Sequence, residues 1–352
     1  MLDDQAILST IDKAHMLDSL IQFPHQIQQA LELTHATQLP SFLKIDNILI
    51  SGMGASAISG DIAQSLLYDK LDVPLYVNRS YDLPRWVNKD TLALFLSYSG
   101  NTEETLSSFK LAYQKKAKII CITSGGKLKE FCDTYTIPYI QIPTGFQPRA
   151  ATAFLLFPLL KILQQNNLIK YNINNDIEET VTVTKQLGEQ NHKEIPLATN
   201  SAKQLATQIL NTIPQIYGWE IYAPIAIRWR HQFNENSKII ARADIIPECN
   251  HNDIVGWSGN SEMAKQFSCI IFRDKDEESI QMTKRLDFMK ELFQDTVANY
   301  IDVKPKGKSR LAKMMYLMNL GDLTSCYLAI LRKVDPSPVD IILELKKRLA
   351  QK

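Results

Sequence analysis

Two short stretches of this sequence combine glycine with hydroxyl side chains in the way an anion site requires. The first, ILISGMGASAISGD (48–61), passes from an apolar run into a helical pattern. Gly52 and Gly54 allow a ligand close to the backbone, Ser56 stands where it would cap the helix, and Gly54, Ala55 and Ser56 together would line an anion cradle. Ala57 occupies the third glycine position of a dinucleotide fingerprint and no Walker lysine follows, so a nucleotide is the weaker reading, and a tight turn with an ordinary cap is the plain alternative. The second stretch, SYSGNTEET (97–105), offers the hydroxyls of Ser97, Ser99 and Thr102, with Gly100 and Asn101 free to take positive φ, just before a helix N-terminus. Hydroxyls in place of lysines suit a compact sugar phosphate. The alternative is that Thr102, Glu104 and Thr105 merely cap the helix.

These loops need elements to hold them. The apolar runs ILIS (48–51), PLYV (74–77), LALFLS (92–97), KIICIT (118–123) and YIQI (139–142) alternate with helical patterns at 56–67, 102–113 and 150–165. That alternation predicts an α/β fold with a mainly parallel sheet flanked by helices, which takes ligands beyond the carboxyl ends of its strands, where both loops fall. Residues 1–45 read as a helical segment, 46–165 as the first domain, and the polar, Asn-rich 164–176 as the turn between domains. From 177 to 352 the rhythm repeats, with helices near 177–189, 201–210 and 221–233, strands at 213–219, 268–272 and 300–304, and helices at 278–294, 311–330 and 339–350. Two α/β units in tandem follow, alike in rhythm and without a strict sequence repeat.

Composition narrows the partners. Across 352 residues, 39 Lys and Arg face 38 Asp and Glu for a net charge of +1, which gives no basic footprint for nucleic acid. Hydrophobic content of 45% with 22% charged residues is that of a globular chain. No apolar run approaches the roughly 18 to 20 residues of a membrane span, and the acidic start MLDD is unlike a signal peptide, so a cytoplasmic protein with no membrane partner is expected. Five scattered cysteines with no CxxC spacing and six histidines with no HxH or HExxH pattern predict reduced thiols, no metal and no cofactor.

SGMGASAISGD, SYSGNTEET, TSGGKL (123–128) and PRAA (148–151) resemble the sugar isomerase (SIS) domain. FNENSK (233–238), PECNHND (247–253), LGDLTSCYLAI (320–330) and VDPSPVDIILELKKRL (334–349) extend the match from about residue 46 to the C-terminus. Together they resemble the bifunctional phosphoglucose/phosphomannose isomerases, a branch of the phosphoglucose isomerase superfamily. The resemblance implies two tandem sugar isomerase domains and metal-independent interconversion of glucose 6-phosphate and/or mannose 6-phosphate with fructose 6-phosphate, through ring opening and a cis-enediolate.

By that resemblance Glu235 is the carbon base, His251 opens the ring, Arg149 holds the negative charge of the enediolate, and Lys346 assists ring opening. Without it Glu235 would read as a solvated helix-end glutamate, His251 as a structural or surface residue, Arg149 as an ion-pair partner, and Lys347 would compete with Lys346. Ser337 stands where the family often has threonine and keeps the hydroxyl associated with accepting either C2 epimer. The family's GGSG is GASA here, so Ala55 and Ala57 would add methyl groups beside the phosphate. A homodimer is implied, with His251 donated to the partner's site. The rival readings are a non-catalytic sugar-phosphate regulator, which would need neither Glu235 nor His251, and an amino-sugar phosphate isomerase, which would be expected to follow a glutaminase domain.

Overall fold

A run such as Leu92, Ala93, Leu94, Phe95 and Leu96, apolar at every position, makes a strand only if both faces of its sheet are covered, and all five are fully buried. The computed structural model describes residues 1–259 and 261–349. Three helices open the chain, α1 (Gln5–Ile11), α2 (Met16–Ile21) and α3 (Phe23–Ala36). Asp4 caps α1, and the Asp12 carboxylate accepts the amides of Met16 and Leu17 at 2.8 and 2.9 Å to start α2. The chain forms two units, one of Gln22–Lys185 with Gly307–Met315, the other of Met1–Ile21, Gln186–Lys306 and the chain from Tyr316 onward.

In the first unit the order is β1 (Asn47–Ser51), α4 (Gly54–Leu66), β2 (Leu75–Asn78), β3 (Thr91–Ser97), α5 (Glu103–Gln114), β4 (Lys118–Thr123), α6 (Gly126–Tyr135), β5 (Tyr139–Gln141) and α7 (Thr152–Gln165). The strands are all parallel in the order β2-β1-β3-β4-β5. One core layer joins Leu49, Phe95 and Cys121 of the sheet to Phe109 of α5 and Leu128 of α6, with Phe95 and Phe109 edge to face at 5.3 Å. The chain turns one way from β1 to β2 and the other way to β3, so the loops after β1 and β3 part from each other and leave a crevice.

The helix α8 (Ile173–Gln190) carries the chain from one unit to the other. It starts a turn earlier than the sequence pattern indicates, because Asn172 accepts the Asn174 amide at its start and Ile173 is buried beside Ile177. There follow α9 (Ser201–Gln208), β6 (Ile213–Trp219), α10 (Ala223–Glu235), β7 (Arg242–Ile246), α11 (Asp253–Gly259), α12 (Ser261–Ala264), β8 (Phe267–Phe272), α13 (Ile280–Gln294), β9 (Asn299–Val303), α14 (Arg310–Leu331) and α15 (Asp340–Leu349). The second sheet is parallel in the order β7-β6-β8-β9, the same reversal one strand shorter. The expected pair of parallel sheets flanked by helices is thus the fold.

Two expectations need correcting. Strand β7 was not anticipated: it is an edge strand whose RADII sequence has an exposed Arg242 and only Ile246 buried, so it lacks the alternation that marks a strand. Helix α14, at 22 residues, is long and apolar enough to pass for a membrane span, against the expectation that no run approaches that length. Its most apolar stretch is 94% buried, as befits a core helix. Of the last predicted helix, Ala350 lies outside the described residues.

Candidate active site

The glycine and hydroxyl loops leave the same end of the first sheet on adjacent strands, with Ser51 paired to Phe95. Gly52 packs on the end of β3 so closely that a Cβ there would lie 2.9 Å from the Leu96 carbonyl oxygen. In the second loop Gly100 takes φ +66°, and a Cβ would fall 1.7 Å from the Gly125 carbonyl oxygen, so only glycine fits. The Leu128 amide donates to the Gly100 carbonyl at 2.9 Å and the Lys127 amide to Asn101 Oδ1 at 3.0 Å, which laces this loop to the TSGGKL turn.

The hydroxyls are held by the loop itself. Ser97 Oγ accepts the Gly100 amide at 3.1 Å and lies 3.1 Å from Thr102 Oγ1, while Ser99 Oγ accepts the Asn101 amide at 3.3 Å. Thr102 sits at the N-cap of α5 but makes no side-chain capping bond, so helix capping does not account for its hydroxyl. At α4 the cap residue is Met53, which makes no side-chain capping bond, and the helix begins at an exposed Gly54 with φ +51° and nothing within 4 Å of where a Cβ would stand. Ser56 is therefore not the cap expected of it. The positive φ of Gly54 lets the helix start two residues sooner, and Ser56 lies inside its first turn, buried. The expected crowding by two alanines is also reduced, since Ala57 is only 1% exposed and turns its methyl into the core, leaving Ala55 half-buried by the loop.

Arg149 belongs to the same unit. It is buried in a single 3-10 turn, 148–150, that packs against α4 and leads into α7. At the matching end of the second sheet, after β6 and β8, side chains tie the segments together. Tyr222 donates to Asp274 at 2.5 Å, Trp219 Nε1 to the Phe272 carbonyl at 2.8 Å, and Arg273 grips Glu278 through Nε and a terminal nitrogen at 2.9 and 3.0 Å.

Glu235 is the last residue of α10 and half-buried. Because β6 and β7 are parallel neighbours, α10 must run back along the sheet, which puts Glu235 on the side of the strands' amino ends. Below it the helix is pinned to α14. Arg228 and Asp322, both buried, pair through two bonds of 3.0 and 2.8 Å, Asn236 Nδ2 donates to Ser325 Oγ at 2.8 Å, and Ser237 Oγ to the Ser325 carbonyl at 2.6 Å. Just beyond, Lys238 Nζ donates to the carbonyls of Glu235, Asn236 and Pro336 at 2.8, 3.4 and 3.0 Å, and Arg332 Nε to the Ser237 carbonyl at 3.0 Å. Pro336 precedes Ser337, which is buried and whose amide donates to Asp335 Oδ1 at 2.9 Å. The structure thus brings Glu235 and Ser337 to one corner of the second unit. Within the FNENSK motif the lysine bonds to backbone carbonyls, so its residue type alone does not mark it.

His251 is not in that corner. It ends a 3-10 turn, Glu248–His251, that follows β7, and it is exposed. Its neighbours are anchored: Cys249 is buried, which pushes its thiol up to about 12; Arg285 donates to Asn250 Oδ1 at 3.3 Å; and Tyr217 and Trp257 donate to Asp253 Oδ2 at 2.7 and 2.9 Å. Strand β7 alone covers about 13 Å, and Glu235 and His251 flank opposite ends of it.

Every described residue of α15 is exposed, including Ile341, Ile342, Leu343, Leu345 and Leu349. At about 100° per residue, Ile341, Ile342, Leu345 and Leu349 form one face, Lys346 borders it, and Lys347 points the opposite way. Among the described residues no three His, Cys, Asp or Glu side chains gather as a metal-binding group.

Comparison with known proteins adds kinship to this geometry. The family described as "Bacterial phospho-glucose isomerase C-terminal SIS domain" matches residues 198–349, and the SIS domain family matches residues 41–137. A bifunctional phosphoglucose/phosphomannose isomerase of Caldicellulosiruptor bescii is 40% identical over 338 residues, covering 96% of this chain and 99% of that protein. One of Aquifex aeolicus is 36% identical, covering 86% and 90%. Among solved structures, the C-terminal domain of glucosamine-fructose-6-phosphate aminotransferase from Francisella tularensis superposes with a TM-score of 0.70 at 18% identity over 92% of this chain and 98% of that one, a likeness of fold.

Proposed function

The chain belongs to the bifunctional phosphoglucose/phosphomannose isomerase family, and from that premise we propose that the loops of the first sheet hold a substrate's phosphate and that the second unit carries proton-transfer groups. The activity is that of a sugar-phosphate aldose-ketose isomerase. The observation that carries the phosphate reading is the pair of loops at the β1 and β3 ends, where the hydroxyls of Ser97, Ser99 and Thr102 and the starts of α4 and α5 lie at the same end of adjacent strands.

The phosphate is received by Ser97, Ser99 and Thr102 and by Gly54, Ala55 and Ser56 at the start of α4, where the positive end of the helix meets the dianion. Cyclic substrate is opened when His251, helped by Lys346, moves a proton from the C1 hydroxyl to the ring oxygen. Glu235 then takes the proton from C2 as the electron pair moves to form the C1–C2 double bond, and Arg149 faces the charge that develops on the oxygens. Return of the proton to C1, with transfer of the O2 proton to O1, gives the ketose. Ser337 beside Glu235 is proposed to accept either C2 epimer, so that glucose 6-phosphate and mannose 6-phosphate both connect to fructose 6-phosphate.

The domain limits proposed are 46–165 and 177–352, which overlap the family matches, after a helical segment at 1–45. A homodimer completes the proposal, with His251 serving the partner's site. Two features support it: Glu235 and His251 flank opposite ends of β7, and α15 carries an apolar face whose covering would draw Lys346 inward. A cytoplasmic location accords with five free cysteines.

The test is Glu235→Gln, which keeps the side chain's shape and removes its basicity. Turnover is expected to fall by about 10²-fold or more while binding survives, and hydrogen exchange at C2 in deuterated water to fall with it. Exchange at the wild-type rate would assign the base elsewhere.

A further inference from the structure

Lys238 follows the end of α10 with φ +51°, a left-handed backbone that glycine adopts without cost and lysine does not. From that position its side chain reaches back. Its ammonium lies on the carbonyls of Glu235 and Asn236, at the negative end of α10, and also on the Pro336 carbonyl next to Ser337. Between this helix end and the 332–337 segment, Lys238 touches both the residue that bears the proposed carbon base and the one that precedes the proposed epimer-accepting hydroxyl, and Arg332 adds a bond to the Ser237 carbonyl. The buried bonds of Asn236 and Ser237 to Ser325 fix the helix to α14 from beneath and leave the outer side to this lysine.

We propose that Lys238 is a positioning residue for the isomerisation: it locks the last peptide of α10 against the Ser337 segment, so that the Glu235 carboxylate and the Ser337 hydroxyl keep one fixed separation across the substrate's C2. The inference rests on the proposal that Glu235 is the carbon base. Because the ammonium binds backbone carbonyls, its loss should disturb where the base stands and leave phosphate binding as it was. A carboxylate displaced by about an ångström costs on the order of 10²-fold in rate.

The experiment compares Lys238→Met and Lys238→Arg with wild type on glucose 6-phosphate and mannose 6-phosphate, with inhibition by an unreactive hexitol 6-phosphate as the measure of binding and urea unfolding as the measure of fold. Lys238→Met is expected to lower kcat on both aldoses by roughly 10- to 10²-fold, to change the mannose-to-glucose ratio, and to leave the inhibition constant within about twofold. Lys238→Arg, which still donates to carbonyls, is expected to recover most of kcat. In a Glu235→Gln background Lys238→Met should add nothing further, because it acts through the missing base. Wild-type kcat in Lys238→Met, a loss that Arg does not repair, or a loss that adds fully to that of Glu235→Gln would overturn the assignment. Full C2 exchange in Glu235→Gln alone would instead overturn the base reading, and the positioning role with it, so the two failures are told apart.

Discussion

Gly54→Ala separates a phosphate site from a structural turn more cleanly than loss of a hydroxyl can. Gly54 has φ +51° and no atom of the protein within 4 Å of the position a Cβ would take. The substitution therefore costs stability only through the left-handed backbone, about 1–2 kcal/mol. Gly100→Ala is the contrasting change, since its Cβ would collide with the Gly125 carbonyl oxygen at 1.7 Å and force two loops apart. If the phosphate rests on the start of α4, the added methyl takes up the ligand's space and disrupts a hydrogen bond to a charged group, worth about 1.5–3 kcal/mol. That corresponds to a rise in Kd or KM of about 10- to 150-fold. Urea unfolding gives the first quantity; calorimetric titration with inorganic phosphate and steady-state kinetics with fructose 6-phosphate give the second. Ser99→Ala and Thr102→Ala belong in the same series and should weaken phosphate by a similar factor, with less effect on the backbone. A Gly54→Ala protein that unfolds as expected yet binds phosphate and substrate as tightly as wild type would refute the cradle.

His251→Ala should slow turnover of cyclic substrate by about 10²-fold or more while sparing isomerisation of an open-chain analogue, and equal loss on both would remove the ring-opening role. If His251 serves the partner's site, mixing Glu235→Gln with His251→Ala subunits should restore about a quarter of wild-type activity, since half of a random mixture is hybrid and one of two sites in each hybrid is whole; verified mixed dimers without activity would put both groups in one chain. Away from the site, the ammoniums of Lys44 and Lys118, 3.0 and 3.1 Å from Asp90, hold its carboxyl below the usual range. A depressed carboxylate adds stability that is present above its unfolded pKa, near 3.9, and is lost as pH falls through the folded value. Asp90→Asn should lower the urea midpoint at pH 7, with the gap from wild type closing below about pH 4; a gap that stays constant in acid would mean the lysines do not stabilise the charge.

The sequence made the first unit plain because its strands are covered on both faces and read as unbroken apolar runs, and because the two glycine and hydroxyl loops carry residue types that few turns need together. The alternation of strands and helices is enough to put those loops at one end of a parallel sheet. What it hid depended on position across the sheet. Strand β7 escaped notice because an edge strand can carry Arg242 and Asp244, the latter accepting Gln215 Nε2 at 2.9 Å. Without β7 there was no way to see that Glu235 and His251, sixteen positions apart in sequence, flank opposite ends of a strand. Ser56 was misjudged as a cap because Gly54 is compatible with either side of a helix boundary, and only its φ decides. The contacts of Lys238 left no mark in the sequence, since its partners are carbonyls, which every sequence supplies.

The second sheet bears on how different substitutions would be felt. It shares its strand order with the first, and its carboxyl end is tied across by Tyr222 with Asp274 and by Arg273 with Glu278. Those bonds hold the segments after β6 and β8 in place, so that a change among them is expected to register as lost stability. Glu235, the proposed carbon base, stands on the side of the strands' amino ends, where a change that spares the fold is expected to register in rate instead.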